Sequence, residues 1–545
     1  MVMTRTSSRA PMRTAQSLLD DAGATVAGLF VERCRSTPRA IAYAYKELGL
    51  WREVTYAELA DQVGAAAAAL RAAGLGAGDR IAFMGDALPP FFVLDLATQL
   101  LGGISYALYP TTGVADVSYL LRHGGAKIFV AEHQEYVDKL LDVQEPFPDL
   151  HEAVVIDSRG MFDYDEETVI AWDRFLAKGG TPLSLDELES MAAALDADAG
   201  QFIFYTSGTT GRPKGAVLSH RNIISAWAGF FTVVDAPHGG DRLVVDLPLA
   251  HIGGRTFGLL IPVMFGCVPH FAESIDALGE AKVEVSPTMA FGTPRAWERQ
   301  ASQISVGIET SSRLKRVFFN AAVAVRRRRI DKRTSTVVRA ALLPLDLLLH
   351  HVAVRPVLDE LGCTDLRFCV VGGAAIPEDV SRFWQLMGIE FNELYGATET
   401  SGVATVQDGA HLEPGVLGRA LPGTEFLISP DGEILLRGPN VFKGYWNDSA
   451  ATEAAIDGEW LHTGDAGELL ADGSLRVLDR QKNLIVTSDG ARVHPAEIEN
   501  ALKASTYVSD VILLGDSRPF LAALVEIDFH AVSEWARNHH VVYTS

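Results

Sequence analysis

The sequence predicts an α/β protein of parallel sheets covered by helices, followed by a smaller β-rich part, and three observations predict it. Strand-like and helix-like segments alternate from Asp79 onward; the same rhythm returns around residues 201–233 and 366–396; after Pro414 short strands and tight turns replace it.

Taken in order, DRIAFMGD reads as a strand, PPFFVLDLATQLLGG as a helix, AKIFVAE as a strand, HQEYVDKLLDV as a helix and EAVVID as a strand. Helices of this length between strands imply parallel sheets buried on both faces. QFIFYTS reads as a buried strand before a polar loop, with RNIISAWAGFFTVV as the helix after it, and LRFCVVGGAAI and IEFNELYG repeat the theme. Each of these three strands ends in a Gly-rich or hydroxyl-rich turn, the place where ligands sit in such sheets. In the β-rich part, about residues 415–478, the turns SPDGE and ADGS mark hairpins.

The chain has 545 residues, enough for roughly three to four domain-sized units. Apolar residues make up 48% and charged residues 21%, an ordinary globular balance rather than a disordered one. A net charge of −22 argues against a nucleic-acid binder. Cys34, Cys267, Cys363 and Cys369 show no metal-type spacing and are too sparse for a disulfide framework, which fits a cytoplasmic protein. Residues 1–24 are expected to be a disordered terminus; the first nineteen carry Arg5, Arg9 and Arg13 without an acid, and no apolar signal core follows. No apolar run reaches the roughly eighteen residues that would span a bilayer, since FGLLIPVMFG is short and Asp95 interrupts the region around FFVLDLATQLLGG. Basic charge concentrates instead at residues 312–339, around Arg326 to Arg329, and continues into the apolar ALLPLDLLLHHVAVRPVLDELG. This segment reads either as a solvated helix face or as a peripheral contact with anionic lipid headgroups.

The stretch that carries chemistry is YTSGTTGRPKG, Tyr205 to Gly215, which packs three Thr, one Ser, three Gly and a Lys into eleven positions. Gly lets backbone N–H groups converge on an anion, hydroxyls add neutral donors or ligate a cation, and Lys supplies a point charge. Pro213 and Lys214 occupy the positions where the kinase and GTPase phosphate loop needs Gly and Lys, so the loop is of another type.

In its specific order this stretch resembles the signature of acyl-adenylate-forming, or AMP-binding, enzymes, and four further segments match that family in sequence order. The resemblance implies that Thr206, Ser207, Gly208, Thr209, Thr210 and Gly211 cradle ATP phosphates with Lys214. VVGGAAIP resembles the adenine-side turn, at Gly373, Ala374 and Ala375. LYGATETSG places Tyr395 and Gly396 against adenine, Thr398 at the α-phosphate, and Glu399 on Mg²⁺ together with Thr206. WLHTGDAGEL sets Asp465 on the ribose; DRQKNLI supplies the hinge Asp479, a ribose contact at Arg480 and a nucleotide contact at Lys482. LPLAHIGGR resembles the border of the acyl pocket, with His251 there or simply a satisfied core histidine.

The family then implies ATP-dependent activation of a fatty acid to acyl-AMP, release of pyrophosphate, and transfer to coenzyme A. The basic-then-apolar insertion resembles the long-chain branch. Loading of an acyl carrier protein, or binding of acyl and nucleotide ligands with weakened catalysis, are the alternatives. The resemblance divides the chain into an adenylation domain at residues 25–478, whose β-rich part at about residues 415–478 is expected to be a small β-barrel-like subdomain, and a small mobile α+β lid at residues 479–545. Gly490, in GARVHPAEIE, falls on the coenzyme A side of that lid. Only 66 residues follow Asp479, with Lys482 and Lys503 their only lysines, so the lid is expected to be shortened and to lack the family's terminal adenylation Lys.

Overall fold

The computed structural model describes residues 13–165, 168–206, 211–331, 333–374, 376–407, 416–503, 505, 507–539 and 541. Ser207, Gly208, Thr209, Thr210 and Ala375 lie outside the described residues.

The largest sheet has eight strands. From one edge they run Gly444–Tyr445, Lys214–Ser219, Gly200–Thr206, Ile104–Leu108, Arg80–Met84, Ala126–Ala131, Glu152–Val155 and Ile170–Ala171. The last six are mutually parallel, as the alternation predicts, whereas the first two join antiparallel. Ile104–Leu108 was not expected as a strand; its five residues are all buried at the centre of the sheet, where a continuous apolar run replaces alternation. The flanking helices start where their sequences dictate. Pro89 and Pro90 open Pro89–Leu100 in a turn whose N–H groups need no helical partner, and Ser219 with Asn222 forms a reciprocal capping box for His220–Val233.

A second sheet orders Arg242–Val244, Val268–Phe271, Ile41–Glu47 and Leu50–Thr55, and a third, fully parallel, orders Met289–Gly292, Phe368–Val371 and Phe391–Glu393. The β-rich part is an antiparallel sheet of five strands around the long Trp460–Leu469. It is open rather than barrel-like among the described residues, because Glu425–Ile428 pairs only with Glu433–Arg437. Beyond it a small α+β unit combines the helix Pro495–Lys503, the hairpin Val508–Leu514 with Ala522–Ile527, and the helix Phe529–Asn538.

The sequence expectation fails at three places. Residues 13–24 are ordered: Thr14 caps the short helix Ala15–Leu19, and Ala15 and Leu18 are buried in the main core, so apolar burial there outweighs the polar composition. The helical run Thr336–Asp359 is 24 residues with mean hydropathy 1.6, long and apolar enough by composition to cross a membrane. In this fold it is one arm of a helical hairpin with Arg313–Ile330, and its central Asp346 is buried. The cluster Arg326 to Arg329 also does not face outward as a unit. Arg326 pairs with Asp346 at 3.3 Å and Arg329 pairs with the same carboxylate, whereas Arg327 and Arg328 are exposed, because four successive helical residues point to different sides.

Candidate active site

Two paired strands flank the polar stretch. Gly200–Thr206 and Lys214–Ser219 pair antiparallel, with Thr206 directly opposite Lys214. Lys214 therefore sits on a ladder rather than on a free loop, which limits the positions its ammonium can take. On the neighbouring strand, burial raises the pKa of the Tyr205 phenol, with the Arg80 charge opposing the rise; its hydroxyl lies 2.9 Å from His123 Nδ1. His220, at the end of the same hairpin, is fully buried; its Nδ1 accepts from Val26 N–H at 3.2 Å, and burial lowers its pKa from 6.5 to about 3.

Glu399 reaches this hairpin from the short 3-10 helix Thr398–Thr400. The segment at residues 442–446 joins the two. Phe442 N–H donates to the Glu399 carbonyl at 2.9 Å, Lys443 N–H to Val217 at 2.8 Å and Trp446 N–H to Gly215 at 2.7 Å. Tyr445 lies between Lys214 and Glu399: its hydroxyl donates to Glu399 Oε1 at 2.7 Å, and Lys214 Nζ lies 5.2 Å from its ring centroid. Burial, then the Glu399 charge, pushes the Tyr445 phenol up, so it remains a donor.

A second cluster forms around Asp465. Tyr395 donates to its Oδ2 at 2.6 Å, and Arg480, its cross-strand partner, meets Oδ1 at 3.0 Å. Burial raises the Asp465 pKa, while the Tyr395 hydroxyl and the Arg480 charge oppose the rise. Tyr395 itself is pushed well up, by burial first and the Asp465 charge second. Gly396 is required beside it: a Cβ there would come within 2.5 Å of the Gly402 carbonyl. Asp479, next in line, spans the junction to the C-terminal unit. Its Oδ1 accepts from Arg480 N–H at 2.6 Å and Asn483 Nδ2 at 3.0 Å, and its Oδ2 from Ala496 N–H at 2.9 Å, in the first turn of Pro495–Lys503.

The remaining expected residues are more open. Gly373 takes φ +89° in an exposed turn beside Ala374, directly after Phe368–Val371. His251 caps Ile252–Arg255, its Nδ1 accepting from Gly253 N–H at 3.0 Å; one side is open to solvent, yet the protein atoms crowding it lower its pKa. Arg255, which sequence reasoning missed, is 1% exposed and pairs with Asp95 at 2.7 Å above the rings of Phe202 and Phe204. The ion pair thereby ties the His251 segment to the core. Lys482 and Gly490 are exposed in the C-terminal unit, Gly490 at φ +86° in a hairpin turn, and Lys503 pairs with Asp510 at 2.7 Å.

Among the described residues no group of three or more His, Cys, Asp and Glu side chains could enclose a metal. The donors on offer, the Glu399 carboxylate and the Thr206 hydroxyl, are hard oxygens, and this sparse set fits Mg²⁺, which takes few protein ligands and completes its shell with phosphate and water. Together the arrangement places one ammonium and one carboxylate against Tyr445 beside the paired strands Gly200–Thr206 and Lys214–Ser219, and the buried Asp465 carboxylate against Tyr395 and Arg480.

The geometry agrees with what the chain is similar to. Residues 30–446 match the model of the AMP-binding enzyme family, and residues 482–541 that of the AMP-binding enzyme C-terminal domain. A long-chain-fatty-acid–CoA ligase of Mycobacterium bovis is 31% identical over 525 residues, covering 94% of this chain and 84% of the relative. Two solved structures share the fold: a fatty acyl CoA synthetase of Mycobacterium tuberculosis, with TM-score 0.64 at 23% identity over 95% of this chain and 92% of that one, and an anthranilate CoA ligase in complex with anthranoyl-AMP, with TM-score 0.68 at 18% identity over 97% and 92%. The chain belongs to the AMP-binding enzyme family.

Proposed function

We propose that this protein is a long-chain fatty acid–CoA ligase that activates a fatty acid with ATP, releases pyrophosphate and transfers the acyl group from acyl-AMP to coenzyme A. The observation that carries it is the contact of one side chain, Tyr445, with both Lys214 and Glu399 beside the paired strands Gly200–Thr206 and Lys214–Ser219, in a chain whose relative over nearly its whole length is named for that reaction. That relative's name also favours coenzyme A over a carrier protein as acceptor.

The chemistry follows from charge. A carboxylate oxygen of the fatty acid bonds to the α-phosphorus of ATP as the bond to pyrophosphate breaks, and the repulsion between two anions must be lowered. Lys214, its backbone held on the strand ladder, supplies a positive charge to the phosphates. Glu399 and Thr206 would hold Mg²⁺, which when bound neutralises phosphate charge. Thr398 stands next to Glu399 for the α-phosphate. Asp465, already oriented by Tyr395 and Arg480, takes the ribose hydroxyls, while Gly373, Ala374, Tyr395 and Gly396 border the adenine. His251 borders the acyl end. In the second half-reaction the thiol sulfur of coenzyme A attacks the acyl carbonyl and AMP leaves. Residues 25–478 form the adenylation domain in this reading and residues 479–545 a lid turning about Asp479, whose hydrogen bond from Ala496 N–H, in the first turn of Pro495–Lys503, must rearrange for the turn. Lys482 and Gly490 travel with the lid toward nucleotide and coenzyme A.

The reading includes a cytoplasmic protein that touches membranes peripherally. All four cysteines are free and buried, which suits a reducing compartment. The helical hairpin exposes Val337, Leu347 and Leu348 beside the exposed Arg327, Arg328 and Arg339, an apolar and basic surface on an otherwise acidic protein. Vesicles of anionic lipid should bind it and release it as salt rises; equal, salt-insensitive binding to neutral vesicles would contradict this contact. The function itself is tested by incubating the chain with ATP, Mg²⁺, coenzyme A and fatty acids of increasing length. Pyrophosphate release and an acyl-CoA of matching mass are expected for long-chain acids, and release that depends on none of the acids would contradict the reading.

A further inference from the structure

Lys214 and Glu399 carry opposite charges, and if they met they would neutralise one another instead of acting on a ligand. Tyr445, outside every segment that pointed to function in the sequence, stands between them. Its backbone is fixed on both sides. Tyr445 pairs with Ala216 in the antiparallel ladder, and its N–H donates to Thr452 Oγ1 at 2.8 Å. The preceding Gly444 takes φ +126°, and a Cβ there would meet the Thr452 side chain at 2.7 Å, so the close approach needs Gly. Phe442 packs edge-on against the Tyr445 ring, with centroids 4.9 Å apart at 74°. The ring can therefore move little. One face holds the Lys214 ammonium 5.2 Å from the centroid, and the hydroxyl holds Glu399 Oε1 at 2.7 Å.

We infer that Tyr445 is a positioning residue for phosphate activation: a neutral aromatic spacer that keeps Lys214 and Glu399 from forming an ion pair and orients the Glu399 carboxylate toward the metal-bound phosphates. This rests on the reading of Lys214 and Glu399 given above. The packed aromatic ring lies between the two groups and carries no formal charge of its own. Because the hydroxyl and the ring serve different partners, they can be tested separately. Tyr445→Phe keeps the ring beneath Lys214 and removes only the hydrogen bond to Glu399; Tyr445→Leu removes both.

The test is calorimetric binding of ATP to the full chain, in Mg²⁺ and in EDTA, with pyrophosphate release followed against Mg²⁺ concentration. Tyr445→Phe should bind ATP in EDTA as the parent does, while the gain in affinity on adding Mg²⁺ falls about tenfold, the scale of one hydrogen bond to a charged group. In the Glu399→Gln background the same change should have little further effect, because the partner is already altered. Tyr445→Leu should weaken binding in EDTA as well, because Lys214 becomes free to pair with Glu399. A side chain with only a structural role would instead lower the melting temperature and weaken both conditions alike. Parent-like Mg²⁺ dependence in Tyr445→Phe, or a full additive loss on top of Glu399→Gln, would overturn the inference while leaving the site reading intact. Absence of ATP binding by the parent would overturn both. Should Tyr445→Leu fail to fold, Tyr445→Phe decides alone.

Discussion

Two hairpins organise this protein's cations, and they do so in opposite ways. In the strand hairpin flanked by Gly200–Thr206 and Lys214–Ser219, Lys214 stands on a ladder and a tyrosine lies between it and Glu399. In the helical hairpin Arg313–Ile330 with Thr336–Leu349, arginines outnumber acids, large apolar side chains face solvent, and a single buried acid, Asp346, draws in Arg326 and Arg329. The first uses packing to keep one charge available. In the second, a buried carboxylate draws two cations inward and adds to the packing of Phe319, Ala322 and Leu349. Cation content alone therefore says little about role; what distinguishes the two regions is which neighbour each cation is denied or given.

The largest effect should come from the strand hairpin. Glu399→Ala is expected to slow pyrophosphate release by about 10²-fold, the scale of a lost transition-state contact, with a smaller change in ATP affinity. Thr206→Ala should fall in the same direction, and His251→Ala more mildly. Undiminished release in Glu399→Ala would remove the contrast between the two hairpins, because the acid would then be as dispensable as a surface charge.

In the helical hairpin the corresponding change is Asp346→Ala, which leaves Arg326 and Arg329 facing each other without a counter-charge. Breaking a buried pair by removing one partner costs about 3–5 kcal/mol, and the partial exposure of both arginines should bring the loss to the lower end or below. Proteolysis should then open residues 313–359 first while ATP binding persists. If protection of the hairpin were unchanged, the two helices would be held by packing after all.

A smaller, pH-dependent effect separates the regions further. Burial holds His220 neutral, with a pKa of about 3, whereas the unfolded chain protonates it near 6.5. The unfolded state thus binds the extra proton, and stability falls as pH drops from 6.5 toward 3, with a slope approaching about 1.4 kcal/mol per pH unit from this group. Denaturant midpoints measured from pH ~7 to ~5 should decline less steeply in His220→Gln than in the parent. Parallel declines would mean that His220 is not what acid disturbs.

The parts of the site legible in the sequence are those whose chemistry lies in a contiguous stretch. The loop before Lys214, the turn at Gly373, Glu399 and Asp465 each announce themselves by residue type and spacing, and the alternation of segments foretold the parallel sheet. Long-range pairing hid the rest. Tyr445 matters because residues 444–445 add to a strand more than two hundred positions earlier, and a Lys-Gly-Tyr-Trp run gives no sign of that. Asp95 read as an interruption in an apolar helix, whereas it is the buried partner of Arg255. Ile104–Leu108 was overlooked because a strand buried on both faces shows no alternation. Arg326 and Arg329 looked equivalent to their neighbours until the helix turned them onto Asp346. An acid 17 or 20 residues away along the chain can pair with them only after the hairpin closes.

The central claim is that the ladder-held constellation around Lys214 and Glu399 is a site for ATP with Mg²⁺, and calorimetric titration of ATP into the folded chain tests it most directly. Saturable binding at one site per chain, tightened by Mg²⁺ and weakened in Lys214→Met, is the predicted result. A folded chain that takes up no ATP with or without Mg²⁺, or binds it equally well after Lys214→Met and Glu399→Ala, would contradict the account.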